Sequence, residues 1–240
     1  MRSDSITAKP PLFDVPPRRR REVRDPYDGL RPWSAITHGL GAGLAILGTA
    51  ALLLRSLQRG NWLLVGLFLV YGLSMVCLYT ASTLYHCLNT PAAGRIALRK
   101  YDHCSIYLLI AGSYTPICLT ALRDSGGPAL LFSVWVLAVA GSVLTIAKLS
   151  IPRWLTSAIY LFMGWLAIFA IGPIRLTLPD AGFFWLLLGG ILYTVGGVLY
   201  AVKWPGRNNP RFGCHEIFHL FILLGSIAHF VLMYQVIAWL

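Results

Sequence analysis

Residues 214–230, CHEIFHLFILLGSIAHF, join a metal-binding motif to an apolar run. His215, Glu216 and His219 form the pattern H-E-x-x-H, which in soluble zinc proteases presents two imidazoles on one helical face. The apolar segment 214–239 is long enough to cross a bilayer, which takes about 20 residues. The stretch therefore predicts a membrane helix that begins with metal-binding side chains at the membrane surface.

The composition of the whole chain agrees with a membrane setting. Of 240 residues, 57% are hydrophobic and 12% are charged, whereas soluble domains carry about 25% charged residues. The mean hydropathy is +0.67. The net charge of +11 comes from basic residues at the ends of apolar runs and in an N-terminal tail. We interpret them as topology signals and expect no nucleic-acid binding.

The chain divides into a polar tail and an apolar domain. Residues 1–31 are rich in Pro and in charges of both signs, which predicts a disordered, basic cytoplasmic tail. The arginines at 18–21 would fix orientation or contact anionic lipid. No small-residue cleavage site follows a short apolar run, so no signal peptide is expected. Residues 32–240 predict a single transmembrane domain.

Seven apolar segments follow the tail, and each can cross a bilayer as a helix. The predicted segments are 33–54, 62–86, 101–122, 128–147, 154–173, 182–202 and 214–239. The fold class is therefore all-α, a polytopic seven-transmembrane helix bundle. Pro116 and Pro173 should kink or end their helices. The small residues of 38–43 should let the first helix approach a neighbour closely.

Basic residues in the connections predict the orientation. With the N-terminus in the cytoplasm, the inner loops hold eight basic residues and the outer loops four. The inner set is Arg95, Arg99, Lys100, Lys148, Arg153, Lys203, Arg207 and Arg211; the outer set is Arg55, Arg59, Arg123 and Arg175. The positive-inside rule then places the N-terminus in the cytoplasm and the C-terminus outside the plasma (inner) membrane.

Five of the six histidines fall at one predicted membrane depth, the inner face, on different helices. They are His38, His86, His103, His215 and His219. His229 lies about 15 Å further along the last helix than His219. Polar side chains at membrane depth are costly unless they are paired or functional, so this gathering indicates a site.

The spacing of His215 and His219 allows both imidazoles to bind one metal ion. A catalytic zinc site needs a third protein ligand and leaves the fourth position open. No Asp or Glu follows Glu216, and His229 is too far along, so the third ligand should come from upstream. His86 is the best candidate.

Two further polar residues accompany His86. Ser82 lies four residues earlier, one turn deeper on the same face. Asp102 opens the third helix across a short inner loop. Next to a metal ion, this carboxylate would hold and polarise water.

The motifs ITHGLG (36–41), STLYH (82–86), YDHCSIYLLIAGSYTP (101–116) and HEIFHLFILLGSIAHF (215–230) carry a family resemblance. The chain resembles the hemolysin III group of the progestin and adiponectin receptor (PAQR) superfamily, in a clan that includes alkaline ceramidases. The shared pattern is Ser-x3-His on helix 2, Asp on helix 3 and His-x3-His on helix 7. The likeness extends from about residue 33 to the end of the sequence.

The resemblance implies Zn²⁺ held by His86, His215 and His219, with Asp102 on the water and Ser82 completing the polar site. It suggests hydrolysis of a lipid amide, with an acyl-chain membrane lipid as substrate. Zinc would polarise the carbonyl, Asp102 would orient water or accept its proton, and Ser82 would donate to the developing oxyanion.

Other interpretations stay open at this point. The first is a non-enzymatic sensor or receptor, in which zinc ties helices 2 and 7 together. The family name suggests a second alternative, a cytolytic pore-former. A proton or ion channel would need polar residues that thread the bilayer, and an intramembrane metalloprotease would need a downstream acidic ligand. Glu216 we expect to cap the last helix, and His38 to pack beside the ligands. The five cysteines form no C-x-x-C, so we expect free thiols.

Overall fold

The described part of the chain folds into eight α-helices and two short 3-10 turns. The computed structural model describes residues 30–147, 152–207, 209 and 211–240, so the predicted tail lies almost wholly outside them. The helices are α1 (Pro32–Gln58), α2 (Trp62–Cys87), α3 (Ala92–Leu119), α4 (Gly127–Ile146), α5 (Arg153–Trp165), α6 (Ile171–Thr177), α7 (Asp180–Val202) and α8 (Cys214–Gln235). The 3-10 turn Leu166–Ala170 joins α5 to α6, and Ile237–Trp239 follows α8. No strand occurs in these ranges.

Six stretches are long and apolar enough to cross a membrane, as expected for a multi-pass membrane protein. They are α1, α2, α4, the run from α5 to α6, α7, and α8 with its following turn. Large apolar side chains such as Phe132 and Phe169 are exposed, 72% and 81%, on the outer surface of the bundle. Helix α3 does not belong to this set because Arg95, Lys100 and Asp102 lower its hydropathy. The seven-span count and the orientation therefore stay predictions.

The helices form a ring around an interior cavity. Helix α1 packs on α2, α2 on α3, and α3 on both α4 and α5. Helix α5 also packs on α7, α7 on α8, and α8 returns to α1. Helix α4 lies outside this ring, against α3. The two helices predicted to carry the metal ligands, α2 and α8, are thus joined through α1.

Small residues bring α1 against α2, as the sequence predicts. A Cβ atom at Gly41 would overlap the ring of Tyr79, and one at Gly72 would overlap Thr49. Gly43 faces open space, so only part of the small-residue run serves this contact. The close approach places the α1 side chains beside the end of α2.

Helix α3 begins at Ala92, well before the predicted start at residue 101. The additional turns hold Arg95, which is 4% exposed although it carries a charge. Its guanidinium lies 4.1 Å over the ring of Tyr85 and donates to the Tyr85 carbonyl. Hydropathy marks where a helix enters the apolar layer, and this helix extends beyond that point.

The fifth predicted segment is broken into α5, a 3-10 turn and α6. Pro173 lies in the first turn of α6 and has no N–H to donate to the preceding turn, so the break follows from its chemistry. Tyr114 on α3 bridges the break: its hydroxyl donates to the Gly164 carbonyl at 2.7 Å and accepts from the Ala167 N–H at 2.8 Å. Pro116 lies inside the last turn of α3, which continues past it to Leu119.

The last residues of the chain fold back onto the end of α1. Arg55 donates to the Tyr234 carbonyl at 2.7 Å, and Arg59 donates to the Ala238 carbonyl at 2.9 Å. Both guanidiniums lie over the Trp239 ring, at 4.6 and 4.7 Å from its centre. These contacts join α1 to α8 at the end of the bundle opposite the histidines.

Candidate metal centre

Three histidines meet inside the bundle where α2 ends and α8 begins. One nitrogen of each of His86, His215 and His219 lies within 4.8 Å of those of the other two. The Nε2 atoms of His86 and His215 are 3.1 Å apart. All three side chains are buried, with exposures of 1%, 8% and 2%. The structure thus brings together the three ligands that the sequence predicts.

The donor set fits a zinc ion. Two nitrogens bound tetrahedrally to one zinc ion at about 2.1 Å are about 3.4 Å apart, so nitrogens that lie within 4.8 Å of one another need to close by up to roughly 1.4 Å. The buried Nδ1 of His86 has no hydrogen-bond partner among the described residues. The Nδ1 of His219 lies 3.4 Å from the Ser34 carbonyl, which can only accept. This bond puts the proton on Nδ1 and leaves Nε2 of His219 for a metal.

Glu216 lies outside the group of three histidines and has other partners. Its carboxylate accepts the Gly213 N–H at 2.8 Å, a guanidinium nitrogen of Arg31 at 2.7 Å and, more weakly, the Ser34 hydroxyl at 3.2 Å. Because a side chain in the first turn of α8 satisfies an N–H that has no partner within the helix, Glu216 caps that helix. The predicted capping role is confirmed, and the resemblance to a protease motif does not extend to the position of this carboxylate.

Ser82 and Asp102 lie on the wall of the cavity that the histidines adjoin. The Ser82 hydroxyl is a hydrogen-bond partner of the Asp102 carboxylate, which also interacts electrostatically with His86. Ser82 is 2% exposed, and the Asp102 side chain is 13% exposed. A hydroxyl and a carboxylate are therefore paired beside the histidine cluster.

His103 does not join the cluster. Its Nδ1 donates to the Arg99 carbonyl at 2.9 Å and lies 3.5 Å from the Asp102 carboxylate. The side chain lies beside Asp102 and outside the group of three imidazoles, as its position one residue along the helix suggests. The cysteines near the site, Cys87 and Cys214, are free thiols outside the ligand group.

His38 packs directly against a predicted ligand. Its ring stacks on that of His219 with centroids 3.7 Å apart, and the Tyr79 ring meets it edge-on at 5.1 Å. His38 is 3% exposed, and neither of its nitrogens forms a hydrogen bond within the described part of the chain. The structure thus agrees with the expected packing role and shows which ligand His38 orients.

Arg31 and Ser34 belong to the surroundings of this site, although the sequence analysis did not find them. Arg31 is the last residue of the predicted tail, yet its side chain is only 11% exposed and its N–H donates to the His86 carbonyl at 3.1 Å. Their partner Glu216 is more than 180 residues away, so no local pattern indicates the contact. The one available signal is that Ser34 and His38 share a helical face.

A cavity of about 550 Å³ extends from the histidine cluster into the bundle. Polar side chains, among them Asp102 and His215, line one end, and apolar side chains such as Leu109 and Ile110 line much of the remainder. A second cavity of about 190 Å³ continues beyond it, and His229 lines both. The shape and lining suit an amphiphile with its polar group at the histidines.

Comparison with known proteins agrees with the motifs. A family model described as haemolysin-III related matches residues 32–230. The chain is 40% identical to hemolysin-3 of Bacillus cereus over 197 residues, 82% of this chain and 87% of that protein. It is 41% identical to the hemolysin-3 homolog of Bacillus subtilis over 206 residues, 85% of this chain and 93% of that protein. The adiponectin receptor protein of Drosophila melanogaster is 28% identical over 218 residues, 81% of this chain and 48% of that protein.

Proposed function

The chain belongs to the haemolysin-III-related family of the PAQR superfamily, and from this membership we propose that it is a zinc-dependent hydrolase of lipid amides, of ceramidase type. One observation carries the proposal: three converging imidazoles and a Ser–Asp pair stand at the head of an apolar cavity. The general role would be in membrane lipid homeostasis, in the plasma membrane.

His86, His215 and His219 would hold the zinc ion, because they offer three neutral imidazole nitrogens in a buried pocket. When bound, zinc supplies a Lewis acid that polarises a carbonyl group and makes water a stronger acid. The stacked ring of His38 and the Ser34 carbonyl hold the His219 ring in its orientation.

Asp102 and Ser82 would act on the reacting groups. The Asp102 carboxylate would orient an attacking water molecule and accept its proton. The Ser82 hydroxyl would donate a hydrogen bond to the oxyanion that develops on the amide carbonyl. Before substrate binds, the Ser82 hydroxyl interacts with Asp102, which keeps both groups in place.

The apolar part of the cavity would take the acyl chain of the lipid. The apolar lining resembles the lipid tails that the chain would leave, so the main effect of the cavity would be to position the amide at the histidines. The predicted orientation would put the reaction at the cytoplasmic leaflet, where the positive-inside rule places the start of α1 and α8. Helix α3 would bring the number of membrane spans to seven, and its polar first half would supply Asp102.

The test is release of fatty acid from ceramide by the purified protein. We expect zinc-dependent release that falls at least 100-fold in Asp102→Asn, while the zinc content of that variant stays near one ion per chain. His103→Ala is the matched control, since His103 flanks Asp102 without joining the ligand group. Equal release by wild type and Asp102→Asn would overturn the proposal.

A non-enzymatic sensor or receptor is the second candidate. It is favoured by the way the three histidines join α2 to α8 and by the name of the Drosophila relative. A zinc site that only ties helices together would leave ceramide intact, and removal of zinc would lower thermal stability without loss of any turnover. The name of the bacterial relatives suggests cytolysis, and dye release from liposomes treated with the purified protein tests that activity directly.

A further inference from the structure

A second polar cluster runs from Tyr79, which contacts His38, to His229, which lies about 15 Å from His219 along α8. It is formed by Tyr79, Tyr193, Ser226 and His229. The Tyr193 and His229 rings meet edge-on with centroids 5.3 Å apart. A Cβ atom at Gly189 would overlap the His229 ring, so α7 presses on that side chain. The proposed hydrolysis uses none of these four residues.

The hydrogen bonds of His229 define its tautomer. Its Nε2 lies 3.3 Å from the Leu186 carbonyl, which can only accept, so Nε2 carries the proton. The neutral imidazole then has an acceptor at Nδ1. This nitrogen is buried and has no hydrogen-bond partner among the residues that the structure describes. The Nδ1 acceptor of His229 therefore has no hydrogen-bond donor among these residues.

One hydroxyl proton of the cluster has no acceptor within the cluster. Tyr79 donates to the Ser226 oxygen at 2.7 Å and lies at a longer 3.4 Å from the Ile222 carbonyl. Ser226 shares a second hydrogen bond of 2.9 Å with Tyr193, in which either hydroxyl can be the donor. Three hydroxyls have three protons, and these two bonds use two of them. Of the three side chains, Tyr193 is the one that lines the cavity. When Ser226 donates to Tyr193, the unused proton is that of the Tyr193 hydroxyl, which can donate it to a group in the cavity.

An acceptor and a donor thus stand together at the passage from the larger to the smaller cavity, both of which His229 lines. A carboxylate offers acceptors alone and an ammonium group donors alone, so neither satisfies both. A hydroxyl group offers one donor and two acceptors, and it carries no charge into the apolar interior.

We propose that Tyr193 and His229 form a subsite for a hydroxyl group carried part way along the acyl chain of the bound lipid. The hydroxyl donates to Nδ1 of His229 and accepts from Tyr193. The inference rests on the proposed lipid binding and names a class of ligand, the hydroxylated acyl amides. It does not depend on hydrolysis.

The experiment compares two N-acylethanolamines of equal chain length, one of which carries a mid-chain hydroxyl. Each competes with a fluorescent fatty amide for the purified protein in detergent. We expect the hydroxylated lipid to bind about tenfold more tightly, the effect of one well-formed hydrogen bond in a buried site. Tyr193→Phe and His229→Phe should each bring the ratio of affinities near one.

Two controls separate the possible failures. Tyr160→Phe removes another hydroxyl from the same cavity and should keep the preference. Unchanged affinity of each variant for the plain lipid shows that the cavity is intact.

Equal affinity of the two lipids in the wild type would overturn the subsite and leave the lipid-binding proposal standing; it would mean that the cluster holds water only. A preference that survives in Tyr193→Phe or His229→Phe would overturn it too. If neither lipid competes, the proposed function and the subsite both fail.

Discussion

The two ends of the bundle join α1 to α8 by different chemistry. At the histidine end, the Arg31–Glu216 ion pair and the stack of His38 on His219 make the connection. At the opposite end, Arg55 and Arg59 donate to backbone carbonyls of the last residues and lie over an aromatic ring.

The difference separates a structural contact from a candidate site. The arginines of the opposite end bind backbone carbonyls, which every protein has, so these contacts stabilise the fold and select no ligand. At the histidine end, buried nitrogens of His38 and His86 have no partner within the described residues, and the carboxylate of Asp102 faces a cavity. Buried polar groups that the protein does not satisfy itself indicate what it binds.

The largest expected effect comes from removing a predicted zinc ligand at the histidine end. His215→Ala should lower zinc affinity by more than about 100-fold, beyond the 10–100-fold effect of residues that only orient a ligand. Competition with a chelating indicator measures this affinity. Arg59→Ala, which perturbs the opposite end, should leave zinc affinity unchanged. Full zinc occupancy in His215→Ala would contradict the ligand assignment.

Glu216→Gln should lower the free energy of unfolding by about 3 kcal/mol, because it removes the negative charge from a buried pair whose side chains are 11% and 1% exposed. Chemical denaturation in detergent measures the change. Asp180→Asn breaks the exposed pair with Arg175, whose side chains are 88% and 53% exposed, and should cost less than about 1 kcal/mol. A 100-fold loss of hydrolysis with intact zinc in Glu216→Gln would instead make Glu216 a catalytic base.

Gly41→Ala should destabilise the protein by about 1–3 kcal/mol, since the added methyl group would overlap the Tyr79 ring that contacts His38. Gly43→Ala, on the open side of the same helix, should be neutral or raise stability by up to about 1 kcal/mol. Thermal unfolding of the two variants side by side checks the contrast. Equal effects would mean that α1 does not approach α2 as closely as the structure has it.

The smallest effect belongs to the opposite end. Arg55→Ala removes one hydrogen bond to the Tyr234 carbonyl and the contacts of the guanidinium with the Tyr234 and Trp239 rings, at 3.9 and 4.6 Å. We expect a loss of about 1 kcal/mol in stability and no change in zinc content or lipid binding. Elemental analysis and thermal unfolding of the same sample measure both. Loss of zinc in this variant would remove the distinction between the two ends.

Much of this arrangement could be predicted from sequence because it depends on local spacing. The apolar runs predict the helices, and His215 and His219 share a face by helical geometry alone. The convergence of His86 with them follows from placing helix ends at one membrane depth. Local patterns do not reveal that Arg31 binds Glu216 or that Tyr79 binds Ser226, since these partners are 185 and 147 residues apart.

Helix boundaries fail for a different reason. Hydropathy reports the apolar layer, so it missed the part of α3 that begins at Ala92 and the 3-10 turn Leu166–Ala170. Each of these departures is stabilised by a contact with another helix: Arg95 of α3 with Tyr85 of α2 in the first, and the 3-10 turn with Tyr114 of α3 in the second. Tertiary contacts override the local pattern at these places.

The bridge that Tyr114 makes across the break after α5 has a consequence for biogenesis. The N–H of Ala167 and the carbonyl of Gly164 rely on that phenol, so the fifth segment is incomplete as an independent membrane helix. Tyr114 precedes this segment in the chain, and so the hydroxyl it requires emerges first during synthesis. The residue that completes the fifth segment is therefore synthesised before that segment.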